Sequence, residues 1–184
     1  MRNACGILLL SLFGFSCATD LEKIKEISDD SALITERGKD IEILYSELGQ
    51  LKAKVIAPEL IRVEDKKPYT EFNAGLKLNF YNPNMEIESR LSANYGIYYQ
   101  KTEEMKVRDD VVLTNIKGDK LNTEELIWKR KEEKITSDKF VKITTDDEII
   151  YGTGFEAKQD FSEYMIKNIS GIISVEDDEF ENNL

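Results

Sequence analysis

Leu121-Asn122-Thr123-Glu124-Glu125-Leu126-Ile127-Trp128-Lys129-Arg130-Lys131-Glu132-Glu133-Lys134-Ile135-Thr136-Ser137-Asp138-Lys139-Phe140 is the stretch on which the fold class turns. Asn122-Thr123-Glu124-Glu125 ahead of Leu126-Ile127-Trp128 has the form of a capped helix start. A helix must repeat its apolar face every turn, yet after Trp128 nothing apolar appears until Ile135. A whole turn would bury nothing. The stretch therefore reads as two strands joined by a hairpin turning at Lys131-Glu132-Glu133. Leu121-Asn122-Thr123-Glu124-Glu125-Leu126 is echoed 14 positions later by Ile135-Thr136-Ser137-Asp138-Lys139-Phe140, and more faintly by Leu91-Ser92-Ala93-Asn94. The shared form, apolar–polar–hydroxyl–acid–x–apolar, predicts strand-turn units that bury their apolar sides by lying on their neighbours.

Outward from this stretch, alternation recurs in Asp40 to Ser46, Leu51 to Val55, Leu76 to Phe80 and Val141 to Thr144. A period of two means one wet face and one buried face, as in antiparallel sheet. Turn signals follow at short intervals: Tyr81-Asn82-Pro83-Asn84, Lys101-Thr102-Glu103-Glu104, Lys117-Gly118-Asp119, Asp146-Asp147 and Gly152-Thr153-Gly154. Many short strands so punctuated predict an all-β sandwich, jelly roll or open barrel. The acidic pairs Glu103/Glu104, Asp109/Asp110, Glu124/Glu125, Glu132/Glu133, Asp146/Asp147 and Asp177/Asp178 are expected mostly at solvated turns. Adjacent strand residues point to opposite faces, so no pair alone makes the facing carboxylates of a glycosidase.

The 184-residue chain carries 25 basic and 36 acidic residues, a formal charge of −11, and no histidine. The charge argues against nucleic acid as a partner. The missing histidine removes His-based triads and nearly every zinc or copper site. With no phosphate loop or dinucleotide fingerprint either, no catalytic residue, metal or cofactor is expected.

At the N-terminus, Arg2 precedes an apolar run from Ala4 to Phe15 that is too short to span a bilayer and has the anatomy of a secretory leader. Gly14-Phe15-Ser16-Cys17 is similar to a loose bacterial lipobox, so residues 1–16 are expected to be a lipoprotein signal peptide and Cys17 to be acylated. The only other cysteine, Cys5, would leave with the leader, and acylation removes an unpaired thiol from an oxidising compartment. Several acyl chains at about 0.8 kcal/mol per buried methylene would hold the protein to a membrane. The expected domains are the leader at 1–16, a lipidated tether at 17–31, a β-domain at 32–175 and an acidic tail at 176–184.

Within the β-domain, Ser92-Ala93-Asn94-Tyr95-Gly96-Ile97-Tyr98-Tyr99 is followed by Val111-Val112-Leu113-Thr114-Asn115-Ile116-Lys117-Gly118-Asp119-Lys120 and by the stretch quoted first. Val141-Lys142-Ile143 and Ile150-Tyr151-Gly152-Thr153-Gly154-Phe155-Glu156-Ala157 complete the series. Together these residues, 93–157, resemble the LptC family of lipopolysaccharide export proteins. The resemblance implies an open antiparallel β-jellyroll, two sheets forming a V-shaped trough, that shelters acyl chains without being an enzyme. The lining residues it implies are Leu51, Ala53, Val55, Leu76, Leu78, Phe80, Leu91, Ala93, Tyr95, Leu121, Leu126, Trp128, Val141 and Ile143. The implied partners are lipopolysaccharide, an inner-membrane lipopolysaccharide ABC transporter, and an LptA-like periplasmic β-jellyroll joined by edge-strand pairing. The implied place is the periplasm, with Cys17 anchored in the inner membrane where familiar members use a transmembrane helix.

A patch such as Lys52, Lys54, Lys66 and Lys67 could meet an anionic head group. Two other readings compete with the conduit. One is a surface-exposed lipoprotein binding glycan or protein through Tyr95, Tyr98, Tyr99 and Trp128; the other, weaker, is a carboxylate-based hydrolase.

Overall fold

The structure, a computed structural model, describes residues 34–174. The expected leader, Cys17, the tether and the acidic tail lie outside the described residues. Eleven strands follow one another: β1 (Ile34–Glu47), β2 (Gln50–Glu64), β3 (Tyr69–Phe72), β4 (Leu76–Tyr81), β5 (Ile87–Ala93), β6 (Tyr95–Tyr99), β7 (Glu104–Asn115), β8 (Lys120–Lys129), β9 (Lys134–Thr144), β10 (Glu148–Lys158) and β11 (Tyr164–Ser174). All pairings are antiparallel and all belong to one sheet. The fold is all-β, as expected: one large antiparallel sheet, consistent with a β-jellyroll.

β3 and β4 run end to end along one edge of β2, with β3 opposite residues 61–63 and β4 opposite 53–56. β5 and β6 run the same way along β7. Each of these couples is one interrupted strand, so the eleven strands make nine long passes in simple up-and-down order. The interruptions line up across the sheet. β1 leaves the ladder at Asp40, in the left-handed region at φ 51°, opposite Pro58, with the register unchanged on either side. The third pass breaks at 73–75 and the fourth at Asn94. β7 breaks at Asp109 and Asp110, with φ of 66° and 57°, and β10 breaks at Gly154, with φ of 79°. Each irregularity bends its strand and sharpens its twist. The sheet is thus creased along one line, and its two halves face each other.

The crease explains the echoed hexapeptides. The β8–β9 register lapses between Thr123/Val141 and Ile127/Thr136. Within that gap Thr123 Oγ1 donates to the Phe140 carbonyl at 2.7 Å, and Ser137 Oγ donates to the Glu125 carbonyl at 2.6 Å. Two buried hydroxyls supply donors where the ladder does not. The hexapeptide is one pass crossing the crease, and Leu91-Ser92-Ala93-Asn94 runs into the same line.

The hairpin reading holds: β8 ends at Lys129, a single 3-10 turn spans Arg130–Glu132, and β9 begins at Lys134. Gly152-Thr153-Gly154, expected as a turn, lies inside β10. Gly152 is there because β11 crosses it closely; an added Cβ would stand 2.7 Å from the Asn168 carbonyl oxygen. Gly154 is there for its positive φ. Of the acidic pairs expected at turns, Asp109/Asp110 and Glu124/Glu125 instead mark the crease within β7 and β8.

Candidate functional site

The inward face of the creased sheet is the candidate site, because alternation along every pass delivers its apolar residues there. Twelve of the fourteen expected lining residues are buried in one cluster: Ala53, Val55, Leu76, Leu78, Phe80, Leu91, Ala93, Leu121, Leu126, Trp128, Val141 and Ile143. Leu51 shares their face but is half-buried near the end of β2. Tyr95 departs from the expectation. Gly96 and Tyr98 take the inward positions of β6, so Tyr95 and Tyr99 face outward. Tyr95 donates to Glu71 Oε1 at 2.7 Å and lies under the Arg108 guanidinium at 4.2 Å. Partial burial and the bond to Glu71 push its hydroxyl pKa up to about 12.

Over most of their length the two halves are in contact. Phe80 on one half meets Trp128 on the other edge-to-face, with ring centroids 5.1 Å apart. The β10–β11 turn tucks inside at one end. There Phe161 packs on Phe155 and Tyr164, and its carbonyl accepts from Asn115 Nδ2. Ser89 Oγ donates to the Gln159 carbonyl at 2.6 Å, and Trp128 Nε1 donates to Gln159 Oε1 at 3.1 Å. Motif residues Asn115, Thr123, Trp128, Ser137, Gly152 and Gly154 are therefore holding the crease, the turns and the contact between halves.

Two of the free spaces are bordered by expected lining residues. A cavity of about 590 Å³ lies at the crease, bordered by Leu76, Ala93, Ile56 and Pro58 and rimmed by Asp40, Glu42, Lys77 and Asp110. A slot of about 180 Å³ opens where β1 and β2 meet the far ends of β3, β6, β7 and β8. Val55, Phe72, Met105 and Trp128 form its apolar walls, with Tyr45 and Tyr98 beside them. Arg62, Thr70, Gln100 and Arg130 supply its polar groups. The Arg130 guanidinium stacks on the Tyr45 ring at 4.3 Å and is ion-paired with Glu103. Across the same mouth Lys52 meets Glu133 at 3.5 Å. Of the expected lining residues, Val55 and Trp128 border this slot, and Leu76 and Ala93 border the larger cavity. Arg130, Gln100, Phe72 and Met105 were not in the expected set; no local pattern marks them, since they converge from separate strand ends.

Charge is distributed differently from the expectation. Lys52 and Lys54 sit at the start of β2, paired with Glu133 and Glu42, whereas Lys66 and Lys67 lie beyond its other end. They do not make one patch. Nor do Tyr95, Tyr98, Tyr99 and Trp128 make one platform, because two face outward and two inward.

At the two margins of the sheet, among the described residues, β1 pairs only with β2 and β11 only with β10. Ile169 and Ile172 of β11 stand opposite Gly152 and Ile150, which are buried inward residues of β10, yet they are 57% and 55% exposed. The inner apolar face thus runs out to an uncovered edge. Among the described residues no helix is long and apolar enough to cross a membrane.

No curated protein matches the chain. Comparison with protein families matches residues 7–169 to LptC, described as lipopolysaccharide-assembly, LptC-related. That span takes in nearly the whole β-structure, and the family's members are transport components rather than enzymes. The chain belongs to the LptC family of periplasmic lipopolysaccharide-transport proteins.

Proposed function

We propose that this protein is the periplasmic lipid-binding component of a lipopolysaccharide export bridge, held to the inner membrane by acylated Cys17. It receives glycolipid from the inner-membrane ABC transporter at one margin of the sheet. It passes the glycolipid to an LptA-like β-jellyroll at the other. The observation that carries this reading is the margin itself: among the described residues β11 has one unpaired edge, and its inner isoleucines are open to solvent. An open strand edge accepts a strand from another protein, and the contact is head-to-tail, so it propagates instead of closing. Because Leu78, Leu121, Val141 and Ile143 are fully buried against the opposite half, acyl chains enter as the halves part along the crease. Each methylene transferred from water contributes about 0.8 kcal/mol. Work comes from the transporter, since the chain has no nucleotide motif of its own.

A photoreactive residue at Leu78 or Ile172, in cells, is expected to capture glycolipid at the first position and a β-jellyroll partner at the second. Capture of neither sinks the reading. Depletion of the protein should leave newly made glycolipid at the inner membrane.

A further inference from the structure

Two of the residues that line the slot between β1, β2, β3 and β7 carry a buried polar atom with no hydrogen-bond partner among the described residues: Arg130 Nε and Gln100 Oε1. A buried polar atom left unpaired is costly, more so when charged, so two of them on residues that wall one slot point to a ligand group. The rest of the slot is apolar, and its size decides what fits. At about 180 Å³ it exceeds only slightly the roughly 150 Å³ apolar cavity that accepts one benzene ring. It holds part of a single aliphatic chain, not the several chains of a glycolipid.

The two charged side chains that line the slot, Arg62 and Arg130, are both cationic, while Glu47, Glu103, Glu132 and Glu133 border the other side of Arg130. Glu103 is shared by Arg130 and by Lys131, the latter at 3.2 Å, so two cations face one carboxylate. Glu132 and Glu133 nearby are already met by Lys129 and Lys52, and Arg62 is matched by Glu36 at 3.6 Å. In a chain of net charge −11, this mouth keeps a free guanidinium donor. Gln100 Nε2 now donates to Thr70 Oγ1 at 3.2 Å. The Thr70 hydroxyl can equally donate, so turning the amide over keeps that bond and aims the NH₂ into the slot.

We propose that the slot binds one aliphatic chain carrying an anionic oxygen head, carboxylate or phosphate. The chain lies among Val55, Phe72, Met105 and Trp128, and the head takes hydrogen bonds from Arg130 Nε and the Gln100 amide. The inference rests on the lipid-binding reading for its class of ligand. It differs in assigning a single-chain amphiphile to a site at the strand ends.

Trp128 is the one tryptophan in the chain and lines the slot, so its fluorescence reports occupancy. The full-length protein is titrated with dodecanoate, dodecyl phosphate and dodecyl maltoside, each brominated at the chain end and kept below its micelle concentration. Saturable quenching by both anions is expected, with the neutral maltoside about tenfold weaker or more. Arg130→Gln should weaken the anions by a similar factor and leave the maltoside unchanged, and Arg130→Lys should restore part of the loss. A urea midpoint close to wild type certifies that the variants fold. For Gln100→Ala, whose side chain is bonded to Thr70 and not to Glu103, weaker anion binding is likewise expected. A tighter carboxylate names a fatty acid, and a tighter phosphate names a single-chain lysophospholipid. No quenching, or equal quenching by all three probes regardless of Arg130, overturns the proposal. Quenching that persists while Leu78 captures no glycolipid would sink the conduit and leave the slot standing; the reverse result would do the opposite.

Discussion

Thr123 and Ser137 show how a single side chain can decide whether a strand bends. Each is buried, and each donates to a carbonyl in the stretch where the β8–β9 ladder lapses. Thr123→Val and Ser137→Ala should each lower stability by about 1–3 kcal/mol, since each removes the donor from a buried carbonyl. Thr136→Ala, whose side chain points to the outer face, should stay within about 0.5 kcal/mol in the same urea titration. Glu88 is a second case. Burial, and then Asp160, hold its carboxyl pKa above the usual range. The folded state therefore holds this proton more tightly than the unfolded chain, and stability falls as pH rises through the folded pKa. Glu88→Gln should raise the thermal midpoint slightly at pH 7. The gain should vanish below about pH 4, where the free carboxyl is protonated in both states.

At the scale of the element, the passes were legible and their bends were not. Alternation in Leu76 to Phe80 or Val141 to Thr144 places those side chains correctly, because a pleat enforces a period of two. A bend in mid-strand offers only small or polar residues, and so does a turn. Asp109-Asp110 and Gly152-Thr153-Gly154 therefore read as chain reversals. The same ambiguity hid the slot: Arg130 and Gln100 adjoin turns, and nothing in their neighbours says that two strand ends meet there. Tyr95 was misplaced for a related reason, since Asn94 at the crease resets which residues of β6 face inward. Gly152→Ala tests the crossing of β10 by β11, because its Cβ would collide with the Asn168 carbonyl. Faster amide exchange confined to β11, with β7 to β9 still protected, is the expected result. Uniform loss of protection would mean that β11 is integral to the core.

At the scale of the molecule, the same alternation serves a packed interior and an open one, and sequence cannot separate them. The structure divides the question by position: closed between Leu78, Leu121 and Ile143, open at the slot and at the β11 margin. Leu121→Ala should accordingly cost about 2–5 kcal/mol. Ile169→Lys, at an exposed site, should change stability by no more than about 0.5 kcal/mol while abolishing capture of the β-jellyroll partner from position 172. A large loss of stability in the second variant would show that the margin is core and not a docking edge. The up-and-down order has a consequence for how such a chain comes to its final form. Every pass finds its hydrogen-bonding mate in the segment made just before or just after it, so few distant loops need closing before the ladder grows. A polypeptide emerging from a pore with its N-terminus first could lay each new length against the last, like courses of brick. The rings of Phe80 and Trp128 would clasp only once the eighth strand had been set.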